Sequence, residues 1–509
     1  MTSPKALQAT SISNLPQYID GLIIISPDLS LLPDEFKESV LKTAQYDRRI
    51  GQKSLLLVND EAPGKRLILA PTGPLNRDYD DVRRYFDAAK QGILEAKQAG
   101  STKPAILVLG HHDARYQQAI TVSYLGACQA LWQPLEAREF HGAEIEPIQS
   151  ITMIGEFDSH YAHAIAMGQY AARDLCGTEP ERMAPPKFAD YCETLFENTS
   201  VSVEVISDTQ FIDNNYPMLS TVARASYAVE RHHPRVIKLE YVPQGDIERT
   251  LLFVGKGLVY DTGGADLKVG GAMAGMSRDK GGAASVAGFM KSLAEHQPKG
   301  VKVIAYLAVV RNSIGSDCFV PDEIITSREG VRVRIGNTDA EGRLAMGDLL
   351  SEIKDVAKGE VNPVVFTVAT LTGHAARAMG PYTALVENGA SRALNLSHNI
   401  AAQGDLWADG SEVSRERRED YSFIAPKTLA DDVLSSNNAP SAITARGHQF
   451  PMAFLAVASG LDKHGASSDL PIPYIHVDIA GSGVEGGDWQ HGKPSGTPVT
   501  CFAGAYLHK

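Results

Sequence analysis

The chain has 509 residues, 43% apolar and 21% charged, with 45 glycines and 27 prolines; this excludes fibrous and disordered classes and suffices for at least two cores. A net charge of -13, from 48 basic and 61 acidic residues without a long Lys/Arg block, argues against nucleic acid as the main partner. Five scattered cysteines without a CxxC pair exclude a disulfide framework, and neither a signal peptide nor an apolar run of about 18 residues is present, so a cytoplasmic, membrane-free setting is expected.

In chain order, the first third alternates short apolar runs with helical patterns. GLIIIS (21–26), KSLLLVN (53–59), RLILAP (66–71) and PAILVLG (104–110) read as strands, and DDVRRYFDAAKQGILEAKQAG as a helix before the last of them. This predicts an N-terminal α/β domain over 1–160. DSHYAHAIAMGQYAARDLC (158–176) has helical spacing and leads into the proline-containing GTEPERMAPP, which predicts a linker helix within 161–180. Residues 181–509 repeat the alternation with longer runs: RVIKLEYV, RTLLFVGKGLVY, VKVIAYLAVV, NPVVFTVATL and YIHVDIAG, around the helix-like GGAASVAGFMKSLAEHQ and RLAMGDLLSEIKDVAKG. The predicted fold class is α/β in two domains, the larger C-terminal one built on a mixed, mostly parallel central sheet flanked by helices. Ligands in such folds sit at the carboxyl ends of strands.

Three polar clusters fall at those ends. VGKGLVYDTGGADLK (254–268) leaves an apolar strand and presents Lys256, Asp261 and Lys268; SRDKGGAA (277–284) places Asp279 before a helix; NTDAEGR (337–343) carries Asp339, Glu341 and Arg343 in front of another. Singly, each has an ordinary explanation: an aspartate before a helix is commonly an N-cap, and glycines commonly make turns. The GKG of 255–257 lacks the rest of a phosphate-loop pattern, and HExxH is absent. The pairs His111–His112 and His232–His233 lie in polar stretches and are expected at the surface.

Together the clusters demand positive charge. Four carboxylates converging on one sheet edge repel one another, and two divalent cations balance them where one leaves the site acidic. All-oxygen ligation suits zinc, manganese, cobalt or magnesium, and a closely spaced pair can share a hydroxide nucleophile. In an extended segment Asp339 and Glu341 would project to the same side, with Ala340 pointing away.

At this point the sequence resembles the leucine (cytosol) aminopeptidases, a family of two-metal exopeptidases. NTDAEGR is that family's hallmark, accompanied in order by GKG-x4-DTGG, the Asp279-Lys-Gly-Gly stretch, ATLTG (369–373) and DIAG (478–481), over roughly residues 165–509. The resemblance implies a catalytic role for the 181–509 domain: Asp261 and Glu341 bridge two metals, Asp339 completes one site, and Lys256 with Asp279 the other. It implies that a metal-bridging water attacks the scissile carbonyl, that Lys268 stabilises the resulting charge, and that Arg343 holds a bicarbonate which shuttles the proton. A neutral Lys256 is then required. The first-residue pocket maps to Met276, Thr370, Gly373, Ala480 and Gly483, with the Leu371 carbonyl facing substrate.

A bulkier residue often stands at the position of Gly483, so a wider pocket is expected. Lys280, Asp266 and His374 also depart from the family's usual residues; the first two would either alter the surroundings of the metals or pair with one another. The implied function is hydrolysis of the N-terminal peptide bond of short peptides, with leucine or another apolar residue first, by a homohexamer. A dinuclear dipeptidase, for example on Cys-Gly, and a DNA-binding regulatory member are the alternatives, the acidic balance opposing the second.

Overall fold

Helix Ser159–Gly177 contains the point at which the chain divides. The computed structural model describes residues 3–439 and 443–508. One unit runs to Tyr170 and includes Ala402–Asp409; the other comprises Ala171–Ala401 and Gly410 onward. The short piece 402–409, which the sequence division leaves in the 181–509 domain, therefore belongs with the first unit. There the Trp407 ring meets Tyr161 edge-on, 5.5 Å between centroids. A tryptophan so far downstream gives no local signal of its partner.

The first unit holds a six-stranded sheet of β1 (Lys5–Ala9), β2 (Gly21–Ser26), β3 (Leu55–Val58), β4 (Arg66–Pro71), β5 (Pro104–Val108) and β6 (Ser150–Ile154), ordered β1-β6-β5-β2-β4-β3. Every pairing is parallel except β3 with β4.

The second unit contributes β7 (Val201–Ile206), β8 (Arg235–Tyr241), β9 (Ile247–Asp261), β10 (Gly300–Asn312), β11 (Ile324–Thr326), β12 (Arg332–Arg334), β13 (Pro363–Ala369), β14 (Thr383–Glu387), β15 (Ser411–Arg415), β16 (Val433–Leu434) and β17 (Tyr474–Asp478). Eight of them form one mixed sheet, β15-β14-β17-β13-β9-β10-β8-β7, whose centre β17-β13-β9-β10 is parallel throughout. Both faces of that centre are covered. Leu252 and Val254 of β9 share a core with Leu344, Leu349 and Ile353 of helix Glu341–Ala357. Phe253, between them in the chain, turns to the opposite face and stacks on Phe366 at 4.8 Å, with Phe289 and Phe502 edge-on or tilted beside it. Truncating Phe253 to alanine in this packing costs roughly 3–5 kcal/mol.

Gly255 lies where helix Gly281–His296 crosses β9: a Cβ there would stand 2.7 Å from Ala283 Cα. The GKG pattern thus reflects close approach of a helix rather than a phosphate loop.

Candidate metal centre

The carboxyl ends of the four central parallel strands deliver Asp261 (β9), Asn312 (β10), the Thr370–Gly373 turn (after β13) and Asp478 (β17) to one edge. Lys256 lies five residues before Asp261, a spacing that in a regular strand points the two side chains to opposite faces. The register against β10 slips here: Val310 pairs with Leu258 and Arg311 with Tyr260, so Val259 is an extra residue. This bulge restores Lys256 and Asp261 to a common side.

The NTDAEGR segment is not extended as expected from its spacing. The Asn337 side chain accepts the Asp339 N–H (2.7 Å) and closes a 3-10 turn over Thr338–Ala340, after which Glu341 opens the long helix. An asparagine ahead of a helix caps it, and this buries Glu341 and brings the exposed Asp339 against Lys268 from a turn rather than a strand.

Oxygens of Asp261, Asp279 and Glu341 lie within 4.8 Å of one another, all three residues buried. Lys256 Nζ stands 2.8 Å from Asp279 Oδ2, 3.1 Å from Glu341 Oε1, and donates to the Thr370 carbonyl at 3.1 Å. Lys268 Nζ meets Asp261 Oδ2 at 2.9 Å and is paired with Asp339 Oδ1. Burial alone would depress both lysine ammoniums, but the surrounding carboxylates outweigh it and hold both above the ordinary lysine value. The Asp279, Asp339 and Glu341 carboxyls are raised, first by burial and then by their like-charged neighbours.

The supporting contacts are specific. Asn312, fully buried, donates through Nδ2 to Asp261 Oδ1 (2.9 Å) and to the Thr338 carbonyl (3.1 Å). Thr370 Oγ1 donates to Asp279 Oδ1 at 2.8 Å. Asp478 accepts from Thr372 Oγ1 (2.7 Å) and from the N–H groups of Leu371 (3.1 Å) and Ala480 (3.0 Å), tying the turn after β13 to the end of β17. Sequence reading passed over Asn312 and took Asp478 only as part of a motif; a polar residue closing an otherwise apolar strand was the signal at both.

A cavity of about 310 Å³ opens over this cluster. Lys256, Asp261, Lys268, Met276, Asp279, Asp339, Arg343, Thr370, Leu371, Gly373 and Ala480 line it, joined by His374, Asn437 and Trp489. Glu341 and Gly483 do not reach its surface: both are buried behind it. Arg343 donates through Nη1 to the Ser435 carbonyl (2.8 Å), while its buried Nε has no hydrogen-bond partner among the described residues. Burial lowers the guanidinium to about 10, opposed by Glu341 and Asp478.

Lys280 and Asp266 are engaged away from the cavity wall. Lys280 Nζ donates to the carbonyls of Thr178 (2.8 Å) and Ser277, and Asp266 Oδ2 accepts the Thr338 N–H (2.7 Å). His232 is buried rather than at the surface, its Nε2 lying 2.8 Å from Glu181 Oε1.

The donor set fits divalent cations. It offers carboxylate oxygens and one amine, and Glu341 Oε2 is buried without a hydrogen-bond partner among the described residues, an arrangement that is costly unless a cation accompanies it.

The profile of the cytosol aminopeptidase family's catalytic domain matches residues 170–503. This chain belongs to the cytosol aminopeptidase family. It is a hydrolase of the leucyl aminopeptidase type, metal-dependent as that family is. Among relatives, the Caenorhabditis elegans protein named "Putative aminopeptidase W07G4.4" is 42% identical over 424 residues, 82% of this chain and 81% of that one. Two solved structures share the fold: a leucyl aminopeptidase of Trypanosoma cruzi (TM-score 0.79, 20% identity, 99% of this chain and 97% of that one) and the bottromycin maturation enzyme BotP in complex with Mn (0.76, 19%, 96% and 98%). Among the described residues no helix is long and apolar enough to cross a membrane.

Proposed function

We propose that this family member is a two-metal aminopeptidase that removes leucine or another apolar first residue from short peptides. One observation carries the reading: Lys256, Asp261, Asp279 and Asp339 line one pocket with Glu341 buried behind it, oxygens of Asp261, Asp279 and Glu341 lying within 4.8 Å of one another and Glu341 Oε2 without a hydrogen-bond partner among the described residues.

Those five side chains would hold the metals, with zinc or manganese favoured over cobalt or magnesium; the Mn complex of a structural neighbour supports manganese. Bound divalent cations supply Lewis acidity and make water a competent nucleophile near neutral pH. Lys268, at the cavity wall beside Asp261 and Asp339, would offer a protonated amine to the charge that develops on the carbonyl oxygen. Asp279, held by the Thr370 hydroxyl, would receive the free α-amino group, which restricts cleavage to the first residue. The Leu371 carbonyl would accept a hydrogen bond from the peptide. Arg343 carries an Nε without a hydrogen-bond partner among the described residues at the start of a helix, where the backbone N–H groups also favour an anion; a bicarbonate there would move the proton. The reading extends to a cytoplasmic homohexamer, free of nucleic acid and membrane, for which sedimentation in solution is the check.

The test is hydrolysis of leucine amide by protein stripped with a chelator and reloaded with zinc, manganese or cobalt. Activity should vanish on stripping and return on loading. No turnover with any fully loaded metal overturns the proposal.

A further inference from the structure

The space in front of Gly483 is approached by an aromatic ring from the loop that follows it, that of Trp489. A Cβ at 483 would meet the Ile479 carbonyl oxygen at 2.9 Å, Thr370 Cγ2 at 3.5 Å and the tip of the Trp489 indole, Cη2, at 3.8 Å. The first contact is with backbone, so a side chain cannot be accommodated there without a shift. The second and third belong to cavity-lining residues.

A half-exposed tryptophan on a loop is ordinarily a surface aromatic, free to turn away. Here its backbone is fixed from three directions. The loop closes on itself through the Val484–Pro494 bridge and the Gly492 N–H to Asp488 carbonyl bond at 2.7 Å. Arg278 clasps it from below, donating through Nη1 to the carbonyls of Trp489 (2.7 Å) and Gln490 (3.1 Å) and through Nη2 to that of Gly492 (3.0 Å). Gly275, at φ +90°, lets the chain pass close beneath: a Cβ there would stand 2.6 Å from the Trp489 carbonyl oxygen. This anchorage holds the backbone at Trp489, so the ring can turn only about its own side-chain bonds.

We propose that Trp489 is the specificity-determining wall of the first-residue pocket, supplied by the 484–494 loop in place of a side chain at Gly483, and that it limits the first residue to aliphatic side chains of leucine or methionine size. This rests on the aminopeptidase reading of the same site. The indole tip and Thr370 Cγ2 both lie within 4 Å of where a Cβ at 483 would stand, and Met276 and Ala480 line the same cavity. Leucine gains apolar contact with the ring, and methionine adds a sulfur–aromatic contact. A phenylalanine or tryptophan side chain would have to displace a ring whose backbone cannot retreat.

Two measurements on the manganese-loaded protein test it. Trp132 and Trp407 are fully buried, so Trp489 is the tryptophan placed to report ligand. Titration with free L-leucine or L-methionine should change the intrinsic tryptophan emission of the wild type, and Trp489→Phe should abolish the change. In hydrolysis of leucine, methionine, phenylalanine and tryptophan amides, Trp489→Ala should lower the ratio of kcat/KM for leucine over phenylalanine at least tenfold, chiefly through KM, with Trp489→Phe between. A ratio unchanged within twofold in Trp489→Ala, or an emission response absent from the wild type or retained in Trp489→Phe, overturns the proposal. Wild type that hydrolyses no amide yet shows the emission response would sink the aminopeptidase reading while supporting the wall.

Discussion

The face of the His374 imidazole lies directly on Gly447, where a Cβ would stand 2.1 Å from Cδ2 and 2.3 Å from Cγ and Nε2. The histidine that departs from the family's usual residue is therefore matched by the absence of a side chain on the opposing loop. Gly447→Ala should displace the ring and destabilise the protein by about 1–3 kcal/mol. Combining it with His374→Ala should recover most of that loss, so a double-mutant cycle by chemical denaturation should give a coupling of at least about 1 kcal/mol. Additive effects would show that the two do not share the space.

Asn312 orients Asp261 without touching the cavity. Its amide donates to one Asp261 oxygen, leaving the other toward Lys268. Asn312→Ala should weaken metal binding about 10- to 100-fold, the usual cost of removing a partner that aims a ligand. Titration of stripped protein with manganese measures it, and unchanged affinity would refute the role.

Arg343 and Glu341, two residues apart, should fail differently. Arg343→Ala removes the guanidinium whose Nε has no hydrogen-bond partner among the described residues, and should leave metal content intact while lowering turnover about 100-fold. Glu341→Gln should reduce both, because the oxygen it neutralises lies in the buried carboxylate cluster proposed to hold the metals. Metal analysis paired with kinetics separates the two.

Acid should loosen the second unit through its buried imidazoles. His448 is lowered to about 4, and His476 to about 3, by burial first and then by positive neighbours, Arg446 and His374 for the former, Arg343 and His448 for the latter. Each stays neutral in the folded protein but takes up a proton on unfolding once the pH falls below about 6.5. The unfolded state thus binds more protons, and stability declines from about pH 6.5 toward pH 4. The melting temperature should fall across that interval, and His448→Gln should flatten the slope by up to about 2 kcal/mol at pH 5. An identical pH dependence in that variant would contradict the assignment.

The long buried strands and the three carboxylate-bearing stretches were legible because their signals are local: an apolar run that stops, then a carboxylate. NTDAEGR folds in another conformation than its spacing predicts, since the cap made by Asn337 outweighs the side-chain alternation of an extended segment. The short strands β1, β6, β7, β14 and β15 escaped notice, lying at or near sheet edges with few residues to show a period. The bulge at Val259 was hidden for a different reason. Only the register against β10 reveals it, and without it Lys256 would face away from Asp261. Trp489, the 402–409 piece and the pairing of His232 with Glu181 likewise depend on contacts between distant parts of the chain.

Arg278 and Asp279 are joined by a single peptide unit, one clasping the loop that carries the indole, the other belonging to the carboxylate cluster. Changes in side-chain preference and changes in metal affinity therefore pull on the same link. A loop substitution that retunes the former should be felt in the latter.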